Sequence, residues 1–202
     1  MARGPVTHLM EKKKYSYDLG DSRTEAVDVG GYPIHRFVHQ PSSRYDFGWP
    51  LQVVTAGEDT WCKGCERRRT NVPLFAIEFI LEGTFDYTQD GVESQVGTGE
   101  VFLVRPGCDV DYQYFDERIG RKKVIEITGP LLGPMLSLTQ LNKIHHFRPT
   151  NADWLTQQYA LAERILTKAM PGFMHESSML AYGLIMSLGR AATQRALPIV
   201  VR

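Results

Sequence analysis

Large apolar residues recur at every second position through the first two thirds of the chain. The clearest run is FAIEFILE at residues 75–82, which predicts a strand with one fully apolar face and one mixed face. The turn signals EG, DG, GTG and RPG separate it from four further strand-like runs that end near residue 114. Closely spaced antiparallel strands of this kind normally close into a sandwich or a barrel.

Shorter runs on both sides extend this β-rich region. We predict an edge strand at residues 32–39, further strands between 49 and 69, and a strand at 122–128 in which Lys123 and Ile125 share one face. Residues 1–31 are mostly polar and predict an arm with little core of its own. Within the run Arg67-Arg68-Arg69 the middle side chain must point opposite to its neighbours, and we expect Arg68 to point into a barrel interior.

After Gly129-Pro130 the apolar period changes from two to about 3.6 residues. This predicts a short helix at 131–141 and two amphipathic helices, one that follows capping residues at 151–153 and one at about 175–195. The two longer helices are expected to pack as a hairpin. Their apolar stripes can cover the sheet, meet a second copy of the chain, or do both. We predict a dimer interface on these residues: Leu161, Ile165, Leu180, Leu184 and Leu188.

The charge balance gives weak ground for a nucleic-acid-binding surface. Lys plus Arg and Asp plus Glu each total 23 in 202 residues, so the formal net charge is zero. No run approaches the length of a membrane helix, and the first residues lack the apolar segment of a signal peptide. We therefore expect a cytoplasmic protein without a membrane partner.

The chain has three cysteines, two of them in a Cys62-x-x-Cys65 pair. A structural zinc site needs four ligands, so Cys108 and a histidine would have to converge on this pair. A redox role would need the pair at a helix N-terminus, whereas it lies among strand signals. We interpret these cysteines as unligated thiols and predict no metal site.

Four segments carry a resemblance to a known family. They are WPLQVVTAGEDTW at 49–61, the arginine cluster before ILEGTFDY, GEVFLVRPG at 99–107 and ITGP at 127–130. With the helices that follow, the chain resembles the effector-binding domain of AraC-type transcription regulators. That family combines a cupin-like antiparallel β-barrel, or jelly roll, with a C-terminal helical hairpin, which is a β-rich α+β fold.

The resemblance implies four regions and a function. Residues 1–31 would be the arm, 32–129 the effector-binding barrel, 130–197 the dimerisation helices and 198–202 the start of a linker. The chain would bind a small polar effector such as a sugar inside the barrel and form a homodimer through its helices. DNA would be read by a helix-turn-helix domain that lies outside this sequence.

Alignment with the family also implies site residues. Arg68 and Tyr112 take the positions of a ligand-binding arginine and tyrosine, and Lys123 and Ile125 replace two contacts on the last strand. From the residues themselves, Glu78 can add a convergent polar group and Trp61 a flat face for a sugar ring. Enzymatic cupins hold a metal through histidines. Here no H-x-H occurs in the barrel region, and Val110 stands where the histidine after the P-G turn is expected, so we predict no catalytic residues and no cofactor.

Two alternatives stay open at this point. One is a metal-dependent cupin enzyme with an unusual ligand set drawn from Glu78, Glu126 and Cys108. The other is a dimerisation module whose barrel is filled by side chains.

Overall fold

The computed structural model of the chain describes residues 10–40, 49–168 and 171–196. This part contains twelve strands, three α-helices and one turn of 3-10 helix at Leu141–Lys143. The strands are β1 (Lys12–Leu19), β2 (Ser22–Val29), β3 (Ile34–His39), β4 (Gln52–Trp61), β5 (Glu66–Thr70), β6 (Phe75–Glu82), β7 (Thr84–Gln89), β8 (Val92–Gly97), β9 (Val101–Val104), β10 (Val110–Tyr114), β11 (Gly120–Thr128) and β12 (His146–Phe147). The helices are α1 (Leu132–Leu138), α2 (Ala152–Lys168) and α3 (Phe173–Ala196).

The strands form two six-stranded antiparallel sheets. Sheet 1 has the order β1-β2-β5-β10-β7-β8, and sheet 2 has the order β12-β9-β6-β11-β4-β3. The expected β-rich α+β fold with strands before helices is confirmed at this level. β3 lies at the edge of sheet 2, as the sequence predicted.

The two faces of sheet 2 serve two separate cores, and the alternation in β6 shows why. Phe75 and Ile77 point toward the helices and join a core with Tyr159 of α2. Ala76 and Ile80 point the other way and join a core between the two sheets. A strand buried on both faces needs apolar residues at nearly every position, and β6 has them except at Glu78 and at its exposed last residue, Glu82. The chain is therefore built in three layers, namely sheet 1, sheet 2 and the helices.

Specific hydrogen bonds fix the helices to sheet 2. Asn151 caps α2 through Oδ1, which accepts from the backbone N–H of Trp154 at 2.8 Å, as the capping signal predicted. The Tyr159 hydroxyl donates to the carbonyl of Ile77 at 2.8 Å. Ser177 of α3 donates to the carbonyl of Val53 at 3.0 Å. No helix in the described residues is long and apolar enough to cross a membrane.

The side chains assigned to a dimer interface mostly lie inside the single chain. Ile165, Leu180, Leu184 and Leu188 are at most 7% exposed and belong to the helix–sheet core. Only Leu161 is partly exposed. The prediction that these four residues form a dimer interface is wrong, because their side chains pack against the sheet and are not available on the surface. Dimerisation itself stays a prediction.

The predicted arm is a β-hairpin over most of its described length. β1 and β2 pair along eight residues each, and β2 pairs with β5, so the hairpin extends sheet 1. Most of the side chains buried there are small or polar, namely Ser22, Thr24 and Ala26, and Val29 joins them at the end of β2, which explains why the segment lacked a clear apolar signal. Residues 1–9 of the arm and the predicted linker at 198–202 lie outside the described residues.

Candidate functional site: a charged cavity between the sheets

A cavity of about 400 Å³ lies between the two sheets, beside β1 and β3. Strands of both sheets contribute to its wall. The lining residues are Tyr15, Tyr17, His35, Phe37, His39, Thr55, Asp59, Trp61, Arg67, Arg69, Leu74, Glu78, Tyr112, Lys122, Val124 and Glu126. The wall combines aromatic rings with charged groups of both signs, which is the composition of a site for a polar small molecule.

A buried ion pair forms the floor of the cavity. Glu78 on β6 and Lys122 on β11 are 3% and 2% exposed, and the Lys122 ammonium donates to Glu78 Oε2. Lys122 Nζ also lies 3.9 Å from Asp59 Oδ2. The Tyr112 hydroxyl donates to the other oxygen of Glu78 at 3.2 Å. Complete burial raises the pKa of Glu78 above its ordinary value of 4.5, and the attraction of Lys122 offsets this only in part.

Four aromatic rings surround the Lys122 ammonium. Its nitrogen lies 4.5 Å from the centre of the Tyr112 ring, 5.0 Å from Trp61, 5.2 Å from Phe102 and 5.5 Å from Phe85. A cation within about 6 Å of a ring face is attracted by the ring quadrupole. These rings partly replace the water that the buried ammonium loses.

A chain of hydrogen bonds crosses the mouth of the cavity around Arg67. Its Nη1 lies 3.2 Å from His35 Nε2, and its Nη2 donates to the Tyr15 hydroxyl at 3.2 Å. Nη2 is also 3.9 Å from Asp28 Oδ1. Because a guanidinium only donates, His35 Nε2 must accept, so the proton of this ring sits on Nδ1 and is donated to Asp59. Arg67 is thereby held in one orientation from three sides.

The charge on Asp59 follows from these neighbours. Burial alone raises its pKa, but the hydrogen bond from His35 and the nearby Lys122 together outweigh that effect. The pKa of Asp59 is therefore below its ordinary value of 3.8, and the group is ionised at neutral pH. A second pair, Arg69 Nη1 with Glu126 Oε1 at 3.3 Å, completes the charged wall.

Two buried polar atoms in the lining have no hydrogen-bond partner within the described residues. They are Nε1 of Trp61 and Nε of Arg67, and both are N–H donors. The Arg67 guanidinium carbon lies 5.9 Å from the centre of the Trp61 ring, so the two donors belong to neighbouring side chains. Unpaired buried donors are rare in folded proteins.

Three of the predicted site residues lie in this cavity. The structure places Tyr112, Glu78 and Trp61 in its wall and brings Tyr112 and Glu78 into direct contact. Their role in ligand binding stays a prediction.

The inward orientation predicted for Arg68, Lys123 and Ile125 is wrong. Arg68 lies on the outer face of sheet 1, 58% exposed and 3.7 Å from Asp111. Lys123 points toward α2 and donates to Glu163 at 3.2 Å, and Ile125 lies in the helix–sheet core. In each case the neighbouring residue faces the cavity in place of the predicted one. Successive side chains of a strand point to opposite faces of the sheet, so an error of one residue reverses the predicted face.

The residues that sequence reasoning missed are the direct neighbours of those three. Arg67 and Arg69 flank Arg68, and Lys122 precedes Lys123. Alternation along β11 carried a usable signal: if the apolar residue Ile125 faces the helices, Lys122 must face the other sheet. Asp59 and His35 had no such signal, because their roles depend on the pairing of β3 with β4.

The cysteines lie apart from the cavity wall. Cys62 and Cys65 are buried with their sulfur atoms 3.7 Å apart, and Cys108 donates to Gln89 at 3.0 Å. Burial, reinforced by Cys65, raises the pKa of the Cys62 thiol to about 12. Among the described residues no group of three or more His, Cys, Asp or Glu side chains is arranged to hold a metal ion.

Comparison with known proteins finds similar architecture in solved structures only. No family model matches the chain, and no curated protein matches it. The solved structures include YhaK from Escherichia coli (14% identity, 48% of this chain and 45% of that chain, TM-score 0.40). They also include a predicted oxalate decarboxylase from Thermotoga maritima (12% identity, 58% and 92%, TM-score 0.38). The third is the cupin domain of Cnp3 from Schizosaccharomyces pombe (15% identity, 63% and 94%, TM-score 0.38).

These likenesses are weak. Each TM-score is below 0.5, and the chain spans less than half the length of YhaK. They assign neither a family nor an activity.

Proposed function

We propose that the chain binds a small polar molecule in the cavity between its sheets and acts as the non-enzymatic ligand-sensing part of an AraC-type regulator. The observation that carries the binding proposal is the composition of the cavity wall: buried charges of both signs and aromatic rings, converging from strands of both sheets. A volume of about 400 Å³ is ample for a single sugar ring or a molecule of similar size. The regulator assignment is supported by the sequence motifs at 49–61, 99–107 and 127–130.

The position of the helices supports a sensing role. β11 exposes Lys122 to the cavity on one face and offers Lys123 to Glu163 of α2 on the other. A ligand that shifts β11 therefore acts directly on the helical layer. Such a shift requires the ligand to bind one arrangement more tightly than the other, since equal affinity changes no population.

The experiment is a thermal-shift screen of the protein against sugars, polyols and small carboxylates, followed by calorimetry on each hit. Tyr112→Phe removes the hydroxyl that donates to Glu78, and Arg69→Gln breaks the pair with Glu126. Both variants should weaken the hits by about tenfold, which corresponds to about 1.4 kcal/mol. The matched control is Arg68→Gln, one position along the same strand but facing solvent. Hits that respond to none of the cavity substitutions would contradict this site.

The enzymatic alternative has its own test. Two of the carboxylates it requires are already engaged, Glu78 by Lys122 and Tyr112 and Glu126 by Arg69. Metal analysis of the purified protein should therefore find iron, manganese and zinc well below one atom per chain. A stoichiometric metal that is lost in Glu78→Gln would replace the sensing proposal by a metal-dependent one.

A further inference from the structure

Two short ladders of aromatic rings border the cavity. Tyr15 and Tyr17 of β1 form the first ladder, with ring centres 6.4 Å apart and ring planes inclined by 15°. His35, Phe37 and His39 of β3 form the second, with neighbouring ring centres 5.5 Å and 6.2 Å apart. All five side chains line the cavity. Because β1 and β3 are edge strands of opposite sheets, a ligand that enters between the sheets meets rings from both.

Two polar bridges span the cavity, one at each end of the ladders. Arg67 joins the two sheets at one end, since its guanidinium contacts both the Tyr15 hydroxyl and His35 Nε2 at 3.2 Å. Arg69 pairs with Glu126 at 3.3 Å, and these two residues lie in register with the other ends of the ladders. The stretch between the two bridges is the part of the cavity left for a ligand.

The wall between the bridges is apolar. Phe37 on β3 is in register with Gly57 on β4, which is in register with Val124 on β11. Gly57 has no side chain, and a Cβ added there would lie 2.6 Å from Cδ1 of Phe37, so the Phe37 ring lies directly against the strand. This row offers a ligand a ring face and the methyl groups of Val124, and its side chains carry no hydrogen-bonding group.

The charged groups of the cavity are already matched. The lining carries three cationic side chains and three carboxylates, and each carboxylate accepts a hydrogen bond from a neighbouring side chain. A charged ligand would add an unbalanced charge to this set, which is costly in a partly buried site. A sugar would bring several hydroxyl groups, each of which needs a partner when it is buried. A neutral molecule with few polar groups has neither cost.

From these observations we propose that the ligand is a neutral aromatic compound whose ring binds between the β1 and β3 ladders. The inference rests on the proposed function and names the chemical class of its ligand. Aromatic rings attract one another in offset-stacked or edge-to-face arrangements, beyond the effect of the apolar area that they bury. The rings are within reach of a ligand: Tyr17 is 50% exposed, the side chain of His35 is 31% exposed, and Phe37 is partly exposed.

The test compares neutral probes that differ only in the saturation of the ring, titrated into the complete chain and followed in a proton–nitrogen correlation spectrum. The pairs are phenol with cyclohexanol, benzamide with cyclohexanecarboxamide, and 2-naphthol with decahydro-2-naphthol. Burial of apolar area alone gives no preference for the aromatic member, because its saturated partner has at least as much apolar surface. In at least one pair the aromatic member should bind about three- to tenfold more tightly, since only it gains the contacts between rings.

Substitutions in each ladder then locate the ring. Tyr17→Leu and Phe37→Leu each remove one ring and keep an apolar side chain. Each should weaken the aromatic probe about threefold or more and leave its saturated partner nearly unchanged. Tyr17→Phe keeps the ring and should keep the affinity. Phe115→Leu, which removes a 50% exposed ring outside the cavity lining, should change neither probe.

Folding of the variants is checked by their melting temperatures. Tyr17 lies on an edge strand with half of its surface in solvent, so Tyr17→Leu should fold even if Phe37→Leu does not.

The outcomes separate the two proposals. Saturated partners that bind as tightly as the aromatic probes, or ring substitutions that weaken both alike, would overturn the aromatic assignment and leave ligand binding standing. The same holds if a sugar or a carboxylate from the wider screen binds in the cavity and none of the three aromatic probes does. If none of the six probes and no member of the wider screen binds, the proposed function fails and the inference fails with it.

Discussion

The buried Lys122 should be the most costly single charge to remove from this protein. Its ammonium contacts Glu78, lies 3.9 Å from Asp59 and is 2% exposed. Replacing it by methionine keeps the aliphatic stem but leaves the carboxylate of Glu78 buried without a counter-ion. Breaking a buried ion pair by removing one partner destabilises a protein by about 3–5 kcal/mol. For a chain of this size that is a fall in melting temperature of roughly 6–20 °C.

The structure places the effect of Lys122→Met near the lower end of this range. Glu78 keeps its hydrogen bond from Tyr112, and Asp59 keeps its bond from His35. Glu78 can also take up a proton, because its pKa is already raised by burial. We therefore expect a loss of about 3 kcal/mol in the free energy of unfolding at neutral pH.

Urea denaturation followed by circular dichroism measures this loss, and a double-mutant cycle isolates the pair. Lys122→Met combined with Glu78→Gln removes both charges and leaves no unpaired one. The loss in the double variant should therefore be smaller than the sum of the two single losses by at least about 1.5 kcal/mol. Lys123→Met is the control, since it breaks only partly exposed pairs with Glu163 and Glu58 and should lose less than about 1 kcal/mol. A loss below about 1 kcal/mol for Lys122→Met, or strictly additive losses in the cycle, would refute the buried pair.

Four further predictions follow from burial and charge. The pKa of Asp59 is lowered in the folded state, so its contribution to stability is lost as the pH falls below 3.8, its ordinary value. The pKa of Glu78 is raised, so between pH 4.5 and that raised value the folded state binds a proton that the unfolded state has released, and stability falls as the pH rises. Urea midpoints measured over this pH range should show the fall in the unmodified protein and not in Glu78→Gln. Tyr182 is 52% exposed on α3, so Tyr182→Glu should lower the mass measured by light scattering if the predicted dimer forms there. Leu184 is fully buried, so Leu184→Glu should unfold the chain instead. A dimer that is unaffected by Tyr182→Glu would place the interface elsewhere. Cys62, with a pKa raised to about 12 by burial, should react with Ellman's reagent in guanidinium and only very slowly in the folded protein; rapid labelling without denaturant would contradict its burial.

Local chemistry was enough to predict much of the fold. The DG turn between β7 and β8 was anticipated because both residues accept positive φ, and Asp90 and Gly91 have φ values of 51° and 80°. The pattern of residues 75–82 predicted a strand with one fully apolar and one mixed face, and β6 is that strand, with Glu78 on the mixed face. These features depend on a few adjacent residues, so the sequence alone contains them.

The hairpin at the start of the chain could not be predicted in the same way. β1 and β2 are mostly polar, and apart from Val29 the side chains that β2 buries are small or polar, so no period-two apolar signal marks the hairpin. Their strand conformation comes from pairing with β5, which lies about forty residues further along the chain.

The residues of the candidate site are still harder to predict from the sequence. Sequence reasoning chose the right strand, β5, and the wrong arginine, because the face of a strand side chain depends on a register that alignment without gaps cannot supply. Arg67 and Arg69 reach the cavity and Arg68 does not. The partnership of His35 with Asp59 and Arg67 joins β3, β4 and β5, so only the folded structure brings it together.

The proposed function requires the ligand to bind between the sheets, against Trp61. A proton–nitrogen correlation spectrum tests it directly, because the chain has three tryptophans and each gives one indole N–H signal. Trp61→Phe assigns the signal of the cavity indole, and Trp154→Phe assigns that of the indole in the groove between α2 and α3. Titration with a ligand found by the screen should shift the Trp61 signal to saturation and leave the Trp154 signal in place. A Trp61 signal that stays fixed while the Trp154 signal moves would place the binding site between the helices and rule out the cavity.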